Sequence, residues 1–382
     1  MKILDDIRVI DLTDHWFGPW CTLLLSDLGA EVIKVEPTWG ATARIGSGPR
    51  PGGADPVFHY LNMNKKSLSI NLKDERGRTI FLELVKKSDV VIQNFLPGVM
   101  ERLSLDYDVL KETNPRIIYA ALSGFGQTGP YRTRASFDVV AEAMSGHTRL
   151  TGDLVDPKGP PLNMAMSYGD LGPGTMAAYC IMGAIRCRDR TGVGQMLDVA
   201  QADCMTALNP AITEYSMTQL FPWQIREMYP MTHISGIVKA RDGYIQVAGF
   251  RARALDALKE KLNIDNVTID SVREMVNDMT RDEAVQYFVE IGMPVAPIYQ
   301  VNECMEDPHL NARGMFFNVV HPKAGTIKTV SFPVKFSETK PVARSAAPLL
   351  GQHNRKILTE LLGYDTNHVD ELLKDGVIYT DK

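Results

Sequence analysis

The fold is decided by residues 7–35, which read IRVIDLTDHWFGPWCTLLLSDLGAEVIKV. Gly18-Pro19 breaks the first apolar run, and Gly29 ends the leucine-rich stretch that follows it. The resulting pattern is strand, helix and strand, at residues 7–12, 21–28 and 31–35. Two strands joined by a helix in so short a segment predict a parallel α/β sheet.

The alternation continues along the chain. Further strands are predicted at residues 67–72, 90–94, 117–122 and 196–199, and helices at 75–87 and 170–186. A proline- and aromatic-rich stretch at 222–230 predicts a linker, which a strand at 244–248 and a helix at 281–291 follow. We therefore expect a large α/β domain from residues 1–200 and 330–382, a smaller α+β domain over 222–320, and linkers at 201–221 and 321–329.

Composition and charge narrow the class of protein. The chain has 382 residues, 45% of them hydrophobic and 23% charged, and its net charge is −5. No basic tail or block of like charges is present, so binding to a broad nucleic-acid surface is not expected. No run approaches the roughly 18 apolar residues of a membrane span, and the first residues lack the order of a secretion signal. These features predict a cytoplasmic protein.

Cysteine and histidine spacing argues against a metal site. The five cysteines fall in apolar stretches without a repeated Cys-x-x-Cys pattern, which predicts buried thiols. No two of the eight histidines have the i, i+4 spacing of a helical metal site. We expect no metal.

Several common catalytic motifs are missing from the sequence. The turn after the first strand lacks Gly-x-Gly-x-x-Gly, and bulky side chains there would keep a pyrophosphate from the backbone, so no nucleotide cofactor is expected. Neither a Gly-x-Ser-x-Gly elbow nor a P-loop occurs. Trp16 and Phe17 in that turn either form an apolar wall for an elongated ligand or serve packing alone.

The most informative segment is SYGDLGPG, residues 167–174. Asp170 stands before a helix of small residues, where it would act as an N-cap. Alternatively, Gly169 and Gly172 allow close approach of a ligand, and free N–H groups of the helix face a developing oxyanion. Aspartate, with a reference pKa of about 3.9, is ionised at pH 7 and attacks an activated carbonyl without a general base. Both interpretations remain open on these grounds.

Six basic residues along the chain suggest a phosphorylated ligand. Any one of these side chains alone would be typical of a solvated surface. Together, in a net-acidic chain, they suit recognition of a phosphorylated small molecule. They are Lys65, Lys66, Lys73, Arg102, Arg132 and Arg134.

The chain contains an ordered set of short motifs, which are RVIDL (8–12), DLGAEVIKVEP (27–37), NKKS (64–67), NFLPG (94–98), LSGFG (122–126), FDVV (137–140), GD (169–170), TGVGQ (191–195), GMPVAP (292–297) and APLLG (347–351). As a set, they resemble the class III CoA-transferases, which include formyl-CoA transferase and carnitine CoA-transferase. The resemblance implies a Rossmann-like large domain built from both chain ends, a small domain between them, and a homodimer of subunits linked like rings.

The same resemblance implies an activity and a site. Asp170 corresponds to the nucleophile that takes the acyl group of a donor thioester as an anhydride, then CoA as a thioester, before a small carboxylic acid accepts CoA. Together with the charge pattern, it assigns contacts with CoA to His15, Trp16, Phe17, Ile70, Lys73, Asn94, Phe95, Arg102 and Arg134. Candidates for the substrate pocket are Asp138, Tyr168, Gly169 and His233.

Two departures from the family concern the substrates. Trp16 stands where several members have glutamine, so the polar contact of that glutamine is not expected here. Residues 229–236 lack the consecutive glycines of the oxalate-specific members, which makes formyl-CoA with oxalate a poor match.

Two other functions are compatible with parts of this sequence. An α-methylacyl-CoA racemase shares the implied fold but needs two acid/base groups, one of them a histidine directly before an aspartate. Here Phe137 precedes Asp138, and His147 would lie nearly three helical turns further along, which favours transfer. The other alternative is a CoA-binding protein without turnover, in which Asp170 only caps its helix.

Overall fold

The main sheet contains six parallel strands, seen in a computed structural model that describes residues 2–46, 48–228, 234–249 and 252–381. In chain order the strands are β1 (Arg8–Asp11), β2 (Glu31–Glu36), β3 (Lys66–Ser69), β4 (Val90–Gln93), β5 (Ile118–Ser123) and β6 (Met196–Ala200). Their order across the sheet is β3-β2-β1-β4-β5-β6, and every neighbouring pair is parallel. The predicted parallel α/β sheet is confirmed.

Alternating side chains of these strands fill two hydrophobic cores, one on each face. Val9 of β1 pairs with Val32 and Val90 in the register and joins the first core, whereas Ile10 and Ile33 point to the second. Successive side chains of a strand face opposite sides, so a run that is apolar at every position requires helices on both faces.

The helices of this part of the chain cover both faces. The long helix α8 (Tyr168–Thr191) and α1 (Phe17–Asp27) pack against the first core. Helices α3 (Glu75–Lys86), α5 (Tyr107–Thr113) and the C-terminal α18 (Thr366–Lys374) pack against the second. They are α1 (Phe17–Asp27), α2 (Pro56–Asn62), α3 (Glu75–Lys86), α4 (Val99–Arg102), α5 (Tyr107–Thr113), α6 (Asp138–Met144), α7 (His147–Val155), α8 (Tyr168–Thr191), α9 (Gln201–Ala207), α17 (Asn354–Lys356) and α18 (Thr366–Lys374), with 3-10 turns at Thr42–Ile45 and Pro51–Gly53 and a π-helical turn at Ile357–Leu361.

The chain divides into two units, Met1–Ile212 with Met315–Lys382, and Thr213–Gly314. The second unit contains an antiparallel sheet with its own core, which includes Val247 and Phe288. Its elements, with α10 across the boundary, are α10 (Ala211–Thr218), α11 (Pro222–Met228), β7 (Ile234–Ala240), β8 (Gly243–Gly249), α12 (Ala252–Leu262), α13 (Ile269–Val276), α14 (Arg281–Glu290), β9 (Val295–Pro297), α15 (Val301–Glu306) and α16 (Pro308–Ala312).

The segments expected to be linkers are structured. Residues 201–221 hold α9 and most of α10, and residues 321–329 belong to a hairpin of β10 (Phe316–His321) and β11 (Gly325–Val330). The linker predicted at 222–230 was also wrong for its first seven residues, which form α11, and its last two residues lie outside the described ranges. Its proline is the first residue of that helix, a position where the missing N–H costs nothing.

The C-terminal segment packs within the first unit. Val377 and Ile378 lie in the second core, and Ile378 forms an isolated bridge with Ile70. Arg344 forms a buried ion pair with Asp27, with 2.5 Å between Nη2 and Oδ2. Within the described ranges, no helix is both long and apolar enough to cross a membrane.

The strand order reverses direction between β1 and β4. In open parallel sheets, the crevice outside the carboxyl ends of the strands at such a point is where ligands bind. The loops after β1, β2, β3 and β4 meet there.

Candidate active site

Asp170 is the third residue of α8 rather than its N-cap. Ser167 occupies the N-cap position, and the Asp170 side chain caps no N–H group of the helix. Its Oδ1 instead accepts a hydrogen bond from Nε2 of Gln201, at 2.5 Å. Only 7% of Asp170 is exposed. The N-cap interpretation is therefore wrong.

The first N–H groups of α8 are already engaged. Gly169 donates its N–H to Oε1 of Glu142 at 3.3 Å, and the N–H groups of Asp170 and Leu171 donate to the Ser167 carbonyl at 3.1 and 2.9 Å. The expectation that free N–H groups face a developing oxyanion is thus not met. Any donor to an oxyanion must come from a side chain or from another element.

At Gly169 and Gly174 the missing side chain allows a second helix, rather than a ligand, to approach, whereas a Cβ on Gly172 would meet only side chains, with Cδ1 of Leu208 at 3.2 Å. A Cβ on Gly169 would lie 2.4 Å from the Asp138 carbonyl oxygen, at the start of α6. A Cβ on Gly174 would lie 2.7 Å from the Phe17 carbonyl oxygen, where α8 crosses α1. Both contacts exclude any larger residue unless the backbone moves. The first contact places the residue before Asp170 against α6, and the second packs α8 against α1.

Burial changes the acidity of Asp170. Desolvation, reinforced by the nearby negative charge of Asp138, raises its pKa from 3.8 to about 7, although the hydrogen bond from Gln201 opposes the shift. Glu142, which is fully buried, adds to the effect, and burial raises its own pKa as well. The expectation of a carboxylate fully ionised at pH 7 is therefore wrong, because the reference pKa applies to a solvated group.

A cavity of about 560 Å³ lies at the carboxyl ends of the first four strands. Four predicted CoA contacts line it, and two of them, Lys73 and Arg102, are exposed basic residues. The other two, Ile70 and Phe95, are apolar. The lining residues are Leu12, Thr13, Asp14, Val35, Glu36, Pro37, Trp39, Gly40, Ala41, Thr42, Ile70, Asn71, Leu72, Lys73, Phe95, Val99, Arg102 and Leu103.

The loop after β1 connects this cavity with the surroundings of Asp170. Asp14, in the cavity wall, donates its N–H to Oδ1 of Asn94 at 2.9 Å, and Asn94 returns a bond from Nδ2 to the Asp14 carbonyl at 2.8 Å. The next residue, His15, is exposed, has a φ of +62°, and meets the ring of Phe137 edge to face at 5.8 Å. Phe137 directly precedes Asp138. Asn94 thus holds the loop, and does not line the cavity.

Other predicted CoA contacts lie away from the cavity lining. Phe17 is buried in the first core, which is the packing role considered for it, and Trp16 is half-buried. The guanidinium of Arg134 stacks on the Tyr131 ring at 3.5 Å from its centroid. Of the substrate candidates, Tyr168 is exposed. His233 lies outside the described residues.

Two of the predicted phosphate-binding lysines are committed elsewhere. Lys65 is completely buried and pairs with Asp11, and Lys66 pairs with Glu31. The cysteines also depart from expectation, since Cys21 is buried but Cys180 and Cys187 are exposed on α8. Among the described residues, no three His, Cys, Asp or Glu side chains lie together as metal ligands would.

Sequence reasoning did not identify Gln201 or the loop that carries Trp39. Gln201 follows β6, and Trp39 follows β2, so both lie at the carboxyl end of a predicted strand. That position was the available signal, because ligands of parallel sheets bind at this edge. Neither residue type stands out chemically, however, and nothing local pairs Gln201 with Asp170.

Comparison with known proteins identifies the family. The sequence profile of CoA-transferase family III matches residues 4–354. The chain belongs to CoA-transferase family III. The predicted resemblance is confirmed, and the protein is a transferase.

Relatives of this CoA-transferase are similar along nearly the whole chain. A succinyl-CoA:mesaconate CoA-transferase of Haloarcula hispanica is 33% identical, covering 97% of this chain and 99% of its own. A succinyl-CoA:glutarate CoA-transferase of Mus musculus is 32% identical, over 99% of this chain and 91% of its own. A CAIB/BAIF family protein of Brucella suis, known from its crystal structure, superposes with a TM-score of 0.83 at 30% identity, over 94% of this chain and 99% of its own.

Proposed function

We propose that this CoA-transferase moves CoA from a donor thioester to an acceptor carboxylic acid through covalent intermediates on Asp170. The observation that carries the proposal is the burial of Asp170 beside Asp138 and Glu142. A carboxylate withdrawn from water, with a pKa near neutrality, is a better nucleophile than a solvated one. At a pH near 7, about half of the protein molecules carry this group in its ionised form.

The reaction proceeds by exchange of acyl groups. One oxygen of Asp170 attacks the carbonyl carbon of the donor thioester, the C–S bond breaks, and CoA leaves as a thiolate. The thiolate then attacks Cγ of the resulting anhydride and releases the donor acid, which leaves aspartyl-CoA thioester. The acceptor carboxylate attacks the same Cγ and displaces the thiolate, which finally attacks the acceptor carbonyl and frees Asp170. Each step exchanges one activated acyl bond for another, so no external energy source is needed.

We assign CoA to the cavity at the carboxyl ends of β1 to β4. Its volume of about 560 Å³ falls in the range usual for small-molecule sites, roughly 300–1,000 Å³. Lys73 and Arg102 would bind phosphate groups, and Ile70 and Phe95 would contact the apolar parts of CoA. The loop after β1, with His15, would guide the thioester toward Asp170.

The choice of substrates follows the relatives in part. Succinyl-CoA is the donor named for the Haloarcula and mouse enzymes, and we propose it as the first donor to test. Tyr168 and Gly169 directly precede Asp170 in the chain, and the charge of Asp138 acts on it. We propose these three residues, with His233, as neighbours of the acceptor acid.

Exposed apolar side chains support a homodimer. In the first unit they cluster along α6, α7 and α8, where a soluble monomer would not usually place so many. They include Phe137, Val140, Met144, Leu154, Val155 and Tyr179. We propose that a second copy of the chain covers them, as in the ring-linked dimer that the family resemblance implies.

The free state of the cysteines indicates a cellular compartment. All five cysteines are free, as is usual where glutathione and thioredoxin keep thiols reduced. We propose a cytoplasmic location on this ground.

Racemisation is less well supported than transfer. His147 does not continue the helix of Asp138, because α6 ends at Met144 and His147 begins α7. Its Nε2 lies 3.0 Å from the Met205 carbonyl oxygen. A racemase would exchange the α-proton of an acyl-CoA with deuterated water without any acceptor acid, and we expect no such exchange here or in Phe137→His.

Covalent capture tests the proposed mechanism. Incubation with succinyl-CoA and hydroxylamine, followed by mass analysis of the peptide containing Asp170, should yield a hydroxamate in the native chain and none in Asp170→Ala. That variant should lose transfer and keep its affinity for CoA. Asp5→Ala, an exposed aspartate before β1, is the matched control and should retain both properties. Turnover in Asp170→Ala would rule out this mechanism, and CoA binding without any adduct would favour a non-catalytic CoA-binding protein.

A further inference from the structure

The hydrogen bond to the Asp170 carboxylate comes from a distant part of the chain. Gln201 is the first residue of α9, directly after β6, and the N–H of its neighbour Ala202 donates to the Gly124 carbonyl at 3.0 Å. Gln201 is only 4% exposed. Its amide therefore has a fixed position, anchored to the carboxyl ends of β5 and β6.

The two oxygens of Asp170 are not equivalent. Oδ1 accepts the Gln201 amide at 2.5 Å, and no other hydrogen bond to this carboxylate is made by the residues that the structure describes. The nearby N–H groups of α8 are already engaged with Glu142 and Ser167. One oxygen is thus held by a neutral donor, and the other is left to react.

We propose that Gln201 is a catalytic residue that keeps Oδ1 of Asp170 out of the exchange and donates to it when Cγ is attacked. The proposal rests on the aspartyl mechanism above. When the CoA thiolate adds to Cγ of the anhydride, negative charge develops on Oδ1 as the tetrahedral intermediate forms. The same occurs when the acceptor carboxylate adds to Cγ of the thioester. A fixed amide donor at that oxygen lowers both barriers.

The assignment determines the fate of each oxygen atom. Oδ2 forms the new bond to the donor acyl carbon and leaves with the donor acid when the Cγ–Oδ2 bond breaks. An oxygen of the acceptor then bonds to Cγ and stays on Asp170 once the thiolate has taken the acceptor acyl group. Oδ1 remains bonded to Cγ throughout. It is lost only if the free carboxylate rotates between turnovers, which the bond from Gln201 opposes.

Isotope labelling tests this assignment. The enzyme is cycled many times with succinyl-CoA and excess succinate carrying oxygen-18 in every carboxyl oxygen, and the peptide containing Asp170 is weighed. We expect a single oxygen-18 in Asp170 of the native chain, and two in Gln201→Leu, whose side chain cannot hold Oδ1. Two labels in the native chain would overturn the proposal. No label at all, despite turnover, would instead overturn the covalent mechanism on which it rests.

Kinetics separates a catalytic from a structural role. Gln201→Leu should lower kcat by about 10²–10³-fold, the usual loss for one oxyanion donor, while the Kd for CoA stays unchanged. The acid limb of its pH–rate profile should move to higher pH, because the amide opposes the raised pKa of Asp170. Gln127→Leu, whose amide lies 3.5 Å from the Ser123 hydroxyl and not on Asp170, should behave as the native chain. Equal losses in the two variants, or an unchanged kcat in Gln201→Leu, would contradict the role of Gln201 even if the leucine variant labels as expected.

Discussion

Lys65 donates a hydrogen bond from Nζ to Oδ2 of Asp11 at 3.0 Å, with both side chains completely buried. The other oxygen of Asp11 accepts bonds from the N–H and hydroxyl of Thr13, at 2.8 and 2.5 Å. Burial alone would raise the pKa of Asp11, but Lys65 and Lys34 hold it well below its usual range. This ion pair thus anchors the loop that leads from β1 past the cavity toward Asp170.

Removing one partner of this buried pair should destabilise the protein severely. We expect Lys65→Met to lower the free energy of unfolding by about 3–5 kcal/mol, because it removes the ion-pair partner of a completely buried carboxylate, whose charge Lys34 then compensates only in part. Urea denaturation measures the loss. The matched control is Lys66→Met, whose partly exposed pair with Glu31 should be worth less than about 1 kcal/mol. Similar losses in the two variants would show that the buried Lys65–Asp11 pair contributes no more to stability than the partly exposed Lys66–Glu31 pair.

Transfer should depend on pH through Asp170. The ionised form attacks the thioester, and its pKa is raised to about 7 by burial and by Asp138. We expect kcat/KM to fall as the pH decreases through this value. Asp138→Asn removes a negative charge, so its acid limb should lie at lower pH, whereas Asp5→Asn should leave the profile unchanged. An acid limb near pH 4 in the native enzyme would contradict the raised pKa.

The raised pKa of Asp170 also implies a cost in stability. The unfolded chain ionises this group near 3.8, but the folded chain does so only near 7, so folding becomes less favourable as the pH rises between these values. Asp170→Asn does not ionise and keeps an oxygen for Gln201. It should stabilise the fold by about 1–2 kcal/mol at pH 5 and about 4 kcal/mol at pH 8. Denaturation at the two pH values provides the measurement, and a gain independent of pH would refute the explanation.

The basic residues of the cavity should control the affinity for CoA. Arg102→Ala and Lys73→Ala should each raise KM for the acyl-CoA about tenfold or more, since a hydrogen bond to a charged group contributes roughly 1.5–3 kcal/mol, and should change kcat little. Lys111→Ala, an exposed lysine of α5 outside the cavity lining, serves as the control. Arg134→Ala tests the predicted contact between Arg134 and CoA, since the Arg134 guanidinium stacks on the Tyr131 ring and does not line the cavity. If the cavity variants bind CoA normally, the ligand lies elsewhere.

The local sequence pattern predicted strands and helices correctly where several sequence features pointed to the same element. The strand expected at residues 31–35 is β2, and the helix expected at 75–87 is α3, which Asp74 caps by accepting the N–H of Arg76. Hydrophobic period and capping residue are properties of neighbours in sequence, so they can be recognised without the fold. The linker predicted at 222–230 failed over residues 222–228, because proline and aromatic residues are also compatible with the first turn of a helix.

The functional residues were predictable to different degrees. The glycine-rich segment around it and the order of the motifs singled out Asp170, and the basic residues Lys73 and Arg102 do line the cavity. Lys65 was placed among the phosphate-binding candidates, although it is buried. A charged residue on a short segment gives no sign of its burial, because its partner Asp11 lies on a different strand.

The sequence by itself determined the parallel α/β sheet, the family, and the aspartate at the start of the long helix, since all three depend on the order of residues along the chain. Only the tertiary structure decided that this aspartate is buried, that its pKa lies near 7, and that Gln201 holds one of its oxygens. Solvation and hydrogen bonding are set by whatever surrounds a side chain in space. The neighbours of Asp170 are Asp138, Glu142 and Gln201, which only folding brings together.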